Sequence, residues 1–253
     1  MRFFKKFEPN LFNKQVRPSR TLSRLGHRPL TGGLAYYHPY PNISFDVQQV
    51  SQFMHSLRHL HLAAVCRIIR YLKGSSHCGL FFSVENFPTL SAYSDADWAW
   101  SSNTRHFVNG WCMFLSFSLI SWKSKKQVRV SKSSTEFEYR AMFAACSVII
   151  WVRGLLDELG FPQIEPTSLY ANNKSVIQLV ANPVFHERTK HIEVDCHSIC
   201  DTYDDRLISF PHVGAQLQIV DILTKLVPCP RHSFLVGKLM LIVQPHQFEG
   251  GCE

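Results

Sequence analysis

The sequence predicts a sheet domain of the α/β or α+β class that begins near residue 80 and follows a small helical segment. From Cys78 onward, four short segments have the pattern of β-strands: GLFFSV, TLSAYSDADW, VNGWCMFLSFS and LISWKSKK. A long helical segment follows them. Shorter strand and helix patterns then alternate: TSLYANN, KSVIQLVAN, HIEVDCHSICDTY, RLISFPHV and a final helix, QLQIVDILTKLV. This order predicts a sheet with helices packed on it.

The segment in front of the sheet domain predicts two helices, of which the second is amphipathic. Its apolar residues recur at steps of three and four: Leu62, Val65, Cys66, Ile69 and Leu72. Further upstream, residues 1–31 hold eight Lys and Arg against Glu8, and so carry +7 of the net charge of +8. Such a start is compatible with a disordered tail, a nucleic-acid-binding arm or a mitochondrial presequence.

Composition excludes several classes of protein. The chain has 253 residues, of which 45% are hydrophobic, so it can bury a core. Its longest apolar run, residues 142–152, is too short to cross a bilayer, and the N-terminus lacks the apolar stretch of a secretory signal. The eight cysteines are scattered. We expect an intracellular, non-secreted protein, nuclear, cytoplasmic or mitochondrial, with no membrane partner and no evident obligate protein partner.

Acidic residues at two places suggest a metal site. Asp95 and Asp97 alternate along the strand YSDADWAW and so share one face, where two like charges need a positive partner or water. In the long helix, Ser133 and Glu136 have the spacing of a capping box, which gives Glu136 a structural role. The apolar stripe of that helix, traced backward, ends on a carboxylate: Leu159, Leu156, Val152, Ile149, Ala145, Met142 and Glu138.

Five motifs in fixed order carry a family resemblance: YSDADWA, SWKSKKQ, SSTEFEYRA, NPVFHERTKHIEVDCH and VDILTK. They resemble the ribonuclease H domain of copia-type retrotransposon polyproteins over residues 29–228. The resemblance implies four regions: a basic, disordered tail (1–28), the end of the reverse transcriptase region (29–79), the ribonuclease H-like domain (80–228) and a C-terminal tail (229–253). Polymerisation is not expected, because the polymerase aspartates of the family are absent here.

The resemblance further implies a mixed five-stranded sheet and cleavage of RNA in RNA–DNA hybrids. It assigns Asp95, Glu138 and Asp221 as catalytic, metal-binding acids, and leaves the role of Asp97 open. Two Mg²⁺ ions, which Mn²⁺ can replace, are held about 4 Å apart by four acids in such a site. Here Asn172, in LYANNKSV, stands where the second Asp belongs, and Trp100 stands where the family has Gly. Because an amide removes charge and offers an N–H donor, we expect impaired hydrolysis, or a noncatalytic nucleic-acid-binding remnant.

Two further groups of residues have candidate roles. A basic stretch without acids is a candidate contact for hybrid phosphates, or a solvated loop: Lys123, Lys125, Lys126, Arg129 and Lys132. A second group suggests zinc binding, although its spacing matches no common zinc module: His186, His191, Cys196, His197 and Cys200. The resemblance accounts for His191 without a metal, so the zinc reading is the weaker of the two.

Overall fold

A computed structural model gives the structure of the protein and describes residues 40–75, 78–80, 82, 88–98, 107–127, 134–181 and 193–243. All of these residues belong to one compact unit, Leu34–Glu253. The α-helices are α1 (Ser44–Ser51), α2 (His59–Gly74), α3 (Ser134–Glu158), α4 (Lys174–Ala181), α5 (Glu193–Asp204), α6 (Asp221–Thr224) and α7 (Cys229–Lys238). The strands are β1 (Cys78–Leu80), β2 (Leu90–Trp98), β3 (Phe107–Leu115), β4 (Ser118–Lys126), β5 (Thr167–Tyr170), β6 (Ile208–Ser209) and β7 (Leu241–Val243).

The central element is a mixed five-stranded sheet with the order β4-β3-β2-β5-β6. Strands β2, β3 and β4 pair antiparallel, whereas β5 runs parallel to both β2 and β6. Strand β5 pairs with β2 only from Ser91 to Tyr93, so the half of β2 that holds Asp95 and Asp97 extends past the end of β5. The predicted α/β sheet is confirmed. Strand β1, in contrast, pairs with β7 in a separate two-stranded sheet.

Helix α3 covers one face of the sheet with the apolar stripe that the sequence predicts. Five residues of the stripe are at most 6% exposed and belong to the main core: Met142, Ala145, Ile149, Val152 and Leu156. The prediction is wrong for Leu159, which is exposed because α3 ends at Glu158. Within the described part of the chain, α3 is long and apolar enough to cross a membrane by length and composition alone, and its packing on the sheet accounts for that apolar character.

Helices α6 and α7 contribute to a second core on the opposite face. Leu223 of α6 and Leu235 of α7 pack there with Cys112 and Leu119 of the sheet. The predicted final helix is therefore wrong in length: α6 has four residues, because Gln218 before it is extended and donates from its side chain to the Ser94 carbonyl oxygen. Residues 229–243, predicted as tail, contain α7 and β7, and the predicted domain boundaries stay predictions.

Helices α1 and α2 confirm the two helices predicted before the sheet. Helix α1 lies against β4, where Ser44 accepts a hydrogen bond from Trp122 Nε1 at 3.2 Å. All 16 residues of α2 are described and none is buried. Its apolar stripe divides, since Val65 is half-buried whereas Leu62 is exposed. The amphipathic pattern thus predicts the helix correctly, but the apolar face of α2 is only partly covered by other residues.

Candidate functional site

Asp95 is the most buried acid of the site, with 1% of its surface exposed. Three side chains meet its carboxylate: Thr224 Oγ1 donates to Oδ2 at 2.5 Å, Asn172 Nδ2 donates to Oδ1 at 3.1 Å, and Lys225 Nζ lies 3.7 Å from Oδ2. Burial raises the pKa of Asp95, while Lys225 and the hydrogen bond from Thr224 oppose that rise. The carboxylate predicted to bind metal is thus surrounded by donors of the protein itself.

Glu138 approaches Asp95 from the first turns of α3 and is 8% exposed. Its carboxylate accepts a hydrogen bond from the backbone N–H of Ala96, next to Asp95 on the part of β2 that extends past β5. Burial, followed by the negative charge of Asp95, raises the pKa of Glu138 to about 9. At neutral pH Glu138 therefore holds a proton unless a further cation approaches.

Asp221 is the first residue of α6 and is 5% exposed. Lys225 Nζ lies 2.7 Å from its Oδ1, and the Arg231 guanidinium pairs with its Oδ2. Burial lowers the pKa of Lys225, but the charges of Asp95 and Asp221 outweigh this and raise that pKa overall. Lys225 is therefore a charged ammonium that bridges two of the predicted acids.

Gly110 allows α6 to approach the sheet closely at this point. It pairs with Asp95 across β2 and β3. A Cβ at this position would lie 2.8 Å from Thr224 Cγ2 and 2.9 Å from Val220 Cγ1, closer than side-chain atoms tolerate. The absence of a side chain at Gly110 therefore lets Thr224 reach the Asp95 carboxylate.

Asn172 lies two residues after the end of β5 and beside Asp95, where the resemblance places the second acid. Its Oδ1 is buried and accepts no hydrogen bond within the described residues. The next residue, Asn173, has a structural role, because its Oδ1 accepts from the backbone N–H groups of Ser175 and Val176 and so caps α4. Of the two neighbouring amides, only Asn172 contacts an acid of the site.

The donors around Asp95 suit one hard divalent cation. Asp95 and Glu138 are buried carboxylates in electrostatic contact, and Asn172 has an unsatisfied amide oxygen, so the available ligands are oxygens, as Mg²⁺ prefers. Asp221, in contrast, is already paired with Lys225 and Arg231. Over the described residues, no three His, Cys, Asp or Glu side chains are grouped closely enough to hold a metal ion. The assignment of all three acids as ligands stays a prediction.

The other candidate residues lie in different surroundings. Asp97 is half-buried, and its charge contributes to the raised pKa of both Asp95 and Glu138. Lys123 and Lys125 are exposed on β4, whereas Lys126 points to the other face of the sheet and donates to Gln52 Oε1 at 2.6 Å.

Several candidates lie outside the described residues: Arg129 and Lys132 of the basic stretch, Ser133 of the capping box, Trp100, and His186 and His191 of the zinc group. The side chains of Cys196 and His197 are likewise outside the described part. Cys200 is buried and its Sγ contacts the Val180 carbonyl oxygen at 3.6 Å, between α5 and α4.

Sequence reasoning missed three residues that hold the acids in place, Thr224, Lys225 and Arg231. Thr224 and Lys225 belong to the motif VDILTK, and the spacing of four between Asp221 and Lys225 on a helix is itself a signal for an ion pair. Arg231 gave no such signal, because it lies ten residues beyond Asp221 on a separate helix.

The strand order and the acids at the extended end of β2 define a ribonuclease H-like domain. No model of a protein family matches the chain. It is 41% identical over 209 residues to the retrovirus-related Pol polyprotein from transposon RE1 of Arabidopsis thaliana, which covers 82% of this chain. It is 37% identical over 198 residues to the corresponding polyprotein from transposon TNT 1-94 of Nicotiana tabacum, which covers 78% of this chain.

The chain belongs to the copia-type retrovirus-related Pol polyproteins. It spans 14% of the length of the RE1 polyprotein and 15% of the TNT 1-94 polyprotein. Among solved structures, RNase H1 from the halophilic archaeon Halobacterium salinarum NRC-1 aligns with 54% of this chain and 94% of its own, at 17% identity and a TM-score of 0.38.

Proposed function

We propose that the chain hydrolyses the RNA strand of RNA–DNA hybrids with Mg²⁺ or Mn²⁺, and that Asn172 makes this activity weak. The observation that carries the proposal is the convergence of Glu138, Asn172 and Asp221 on the buried carboxylate of Asp95, at the end of β2 that β5 leaves uncovered. The relatives support it, because they are retrovirus-related Pol polyproteins. The proposal includes residues 29–79 as the end of a reverse transcriptase region, and an intracellular location.

Each residue of the site has a specific part in this proposal. Asp95 and Glu138 would hold the cation, and the Asn172 amide would have to turn its Oδ1 toward it, giving up its hydrogen bond to Asp95. A bound divalent cation supplies Lewis-acid stabilisation of the phosphate and lowers the pKa of its water. Asp221 Oδ1 is available only to the extent that Lys225 releases it, while Arg231 pairs with the other oxygen, Oδ2.

The exposed lysines of β4 offer a binding surface for the hybrid. Lys125 pairs with Asn109, which in turn pairs with Ala96, so it lies two strands, roughly 10 Å, from the backbone that binds Glu138. Lys123 lies on the same face of the strand, at the edge of the sheet. Phosphate contacts there are independent of sequence and weaken as salt is added.

A noncatalytic nucleic-acid-binding remnant is the second candidate. The observation that favours it is that side chains of the protein itself already bind both acids. Thr224, Asn172 and Lys225 contact the Asp95 carboxylate. Lys225 and Arg231 form ion pairs with Asp221. A cluster neutralised in this way is stable without a metal. The basic surface of β4 would still bind a hybrid.

A cleavage assay distinguishes the two candidates. We expect a labelled RNA–DNA hybrid to be cut slowly with Mn²⁺ and barely with Mg²⁺, and the residual cutting to disappear in Asp95→Asn. Binding is measured on the same hybrid in EDTA. Binding without any cleavage under either metal would favour the remnant, and cleavage that persists in Asp95→Asn would place the active site elsewhere.

A further inference from the structure

Among the described residues, helix α7 reaches the acid site through the side chain of Arg231. Its Nη2 donates to the Ala215 carbonyl oxygen at 2.6 Å and pairs with Asp221, while its Nη1 donates to the carbonyl oxygen and Oε1 of Gln216 at 3.3 and 3.1 Å. One planar guanidinium thus joins the 3₁₀ turn Ala215–Leu217 to the first residue of α6.

Helix α7, which carries Arg231, is anchored in the second core. Leu235, one turn further along α7, is fully buried in the second core, and Leu239 directly after the helix is buried with it. The rings of His232 and Tyr71 pack edge-on, with 6.3 Å between their centroids. Asp221, by comparison, begins a helix of only four residues, three positions after the extended residue Gln218.

We propose that Arg231 is the positioning residue of Asp221, and that helix α7 therefore completes the acid site. The proposal rests on the proposed function insofar as Asp221 is to meet a cation. Arg231 holds the turn before α6 and the Asp221 carboxylate in one orientation, whereas Lys225 neutralises the carboxylates without contacting the turn. The two cations near Asp221 consequently have different tasks.

The different roles of Arg231 and Lys225 predict opposite changes in Mn²⁺ affinity when each is replaced. The affinity is measured from the loss of the EPR signal of free Mn²⁺. Removing a positive charge should by itself strengthen binding of a cation. We expect that result for Lys225→Met. For Arg231→Ala we expect binding roughly 10-fold to 100-fold weaker, as for the loss of a residue that orients a ligand. Arg231→Lys, which keeps the charge but cannot bridge both groups, should remain weak.

Two controls separate positioning from charge and from folding. Lys73→Met removes one positive charge from the exposed end of α2 and should bind Mn²⁺ as the wild type does. Millimolar guanidinium at constant ionic strength should restore binding to Arg231→Ala, whereas sodium should not. Arg231→Ala binding as tightly as the wild type, or more tightly, would overturn the proposal.

Hydrogen exchange in EDTA tests the same contact without metal. In Arg231→Ala the amides of residues 214–221 should exchange faster, while those of β2 keep their protection. Unchanged exchange at 214–221 would overturn the positioning role even if metal binds. Faster exchange there, together with a wild-type protein that binds no Mn²⁺, would uphold the positioning role and refute the proposed metal-dependent function instead.

Discussion

Glu138 and Asp221 flank the same carboxylate and are about equally buried, at 8% and 5% exposure, yet their surroundings are opposite. Asp221 is paired with two cations, Lys225 and Arg231. Glu138 accepts a backbone N–H from Ala96, makes no ion pair within 4 Å among the described residues, and has a pKa raised to about 9. Two acids of one cluster therefore differ in whether the protein supplies their counter-charge.

Under the proposed function, the contrast indicates on which side a cation would bind. On the Asp221 side the protein balances the negative charge, and a metal ion at Oδ1 would compete with Lys225, whereas Arg231 pairs with Oδ2. On the Glu138 side a metal ion would replace a proton and reduce the repulsion from Asp95. The protein therefore supplies counter-charges to Asp221 but none in an ion pair to Glu138, within the described residues.

The largest expected effect comes from adding a carboxylate between the two sides. Asn172→Asp replaces the N–H₂ donor on Asp95 by a negative oxygen, and should raise Mg²⁺-dependent hybrid cleavage by roughly 100-fold or more, because preorganised electrostatic groups carry much of catalysis. Initial rates on a labelled hybrid measure this effect.

Asn173→Asp is the matched control for this prediction. It adds the same charge one residue further on and keeps an acceptor oxygen for the cap of α4. Its cleavage rate should stay near that of the wild type. Equal gains from both substitutions would mean that net charge, and not the position beside Asp95, determines the rate.

Gly110→Ala should disturb the Asp221 side while leaving Glu138 in place. The added Cβ meets Thr224 and Val220 at under 3 Å, so α6 must shift, at a cost of about 1–3 kcal/mol in the free energy of unfolding. Urea denaturation measures the loss. Gly154→Ala on α3, where a Cβ meets nothing within 4 Å, should be neutral or stabilising. Equal stability of the two variants would show that α6 adapts without strain.

Glu138→Gln should alter how stability depends on pH in EDTA. The folded pKa of Glu138 is raised from 4.5 to about 9, so its contribution to stability is full below pH 4.5 and is lost as pH rises toward 9. The loss is at most about 1.4 kcal/mol per pH unit, and the Gln variant, which cannot ionise, should lack it. Thermal midpoints across this range test the prediction.

Glu136→Gln is the control for this profile. Glu136 lies two residues earlier on α3 and pairs with Arg140 at 2.8 Å, so its replacement should leave the slope of the wild type unchanged. Parallel profiles for the wild type and Glu138→Gln would mean that Glu138 ionises normally. The contrast with Asp221 would then disappear.

The smallest expected effect concerns the binding surface of β4. Lys125→Ala should reduce the slope of log affinity for hybrid against log salt by about one unit or less, as for the loss of one phosphate contact. Lys126→Ala should change the slope less, because Lys126 is held by Gln52 on the other face of the sheet. Equal reductions would place both faces of β4 in contact with the hybrid.

The sequence predicted much of the sheet and of helix α3, because both follow local periodic patterns. The burial of Met142, Ala145 and Ile149 is confirmed, and Glu138 is buried on the same helix. The amphipathic pattern of α2 predicted the helix but not its exposure, since periodicity reports which face is apolar and not whether anything covers it. The short α6 was missed because Gln218 is extended by a contact with Ser94, far away in sequence.

By itself, the sequence predicted most of the strand and helix order up to residue 217 and the family, and its motifs in fixed order singled out four residues for one site: Asp95, Glu138, Asn172 and Asp221. Only the tertiary structure decided how their charges are balanced. Lys225 and Arg231 reach Asp221 from different helices, and Thr224 reaches Asp95 across 129 positions because Gly110 leaves room for it. The electrostatics of a buried acid depend on such through-space neighbours, which residue spacing along a chain does not encode.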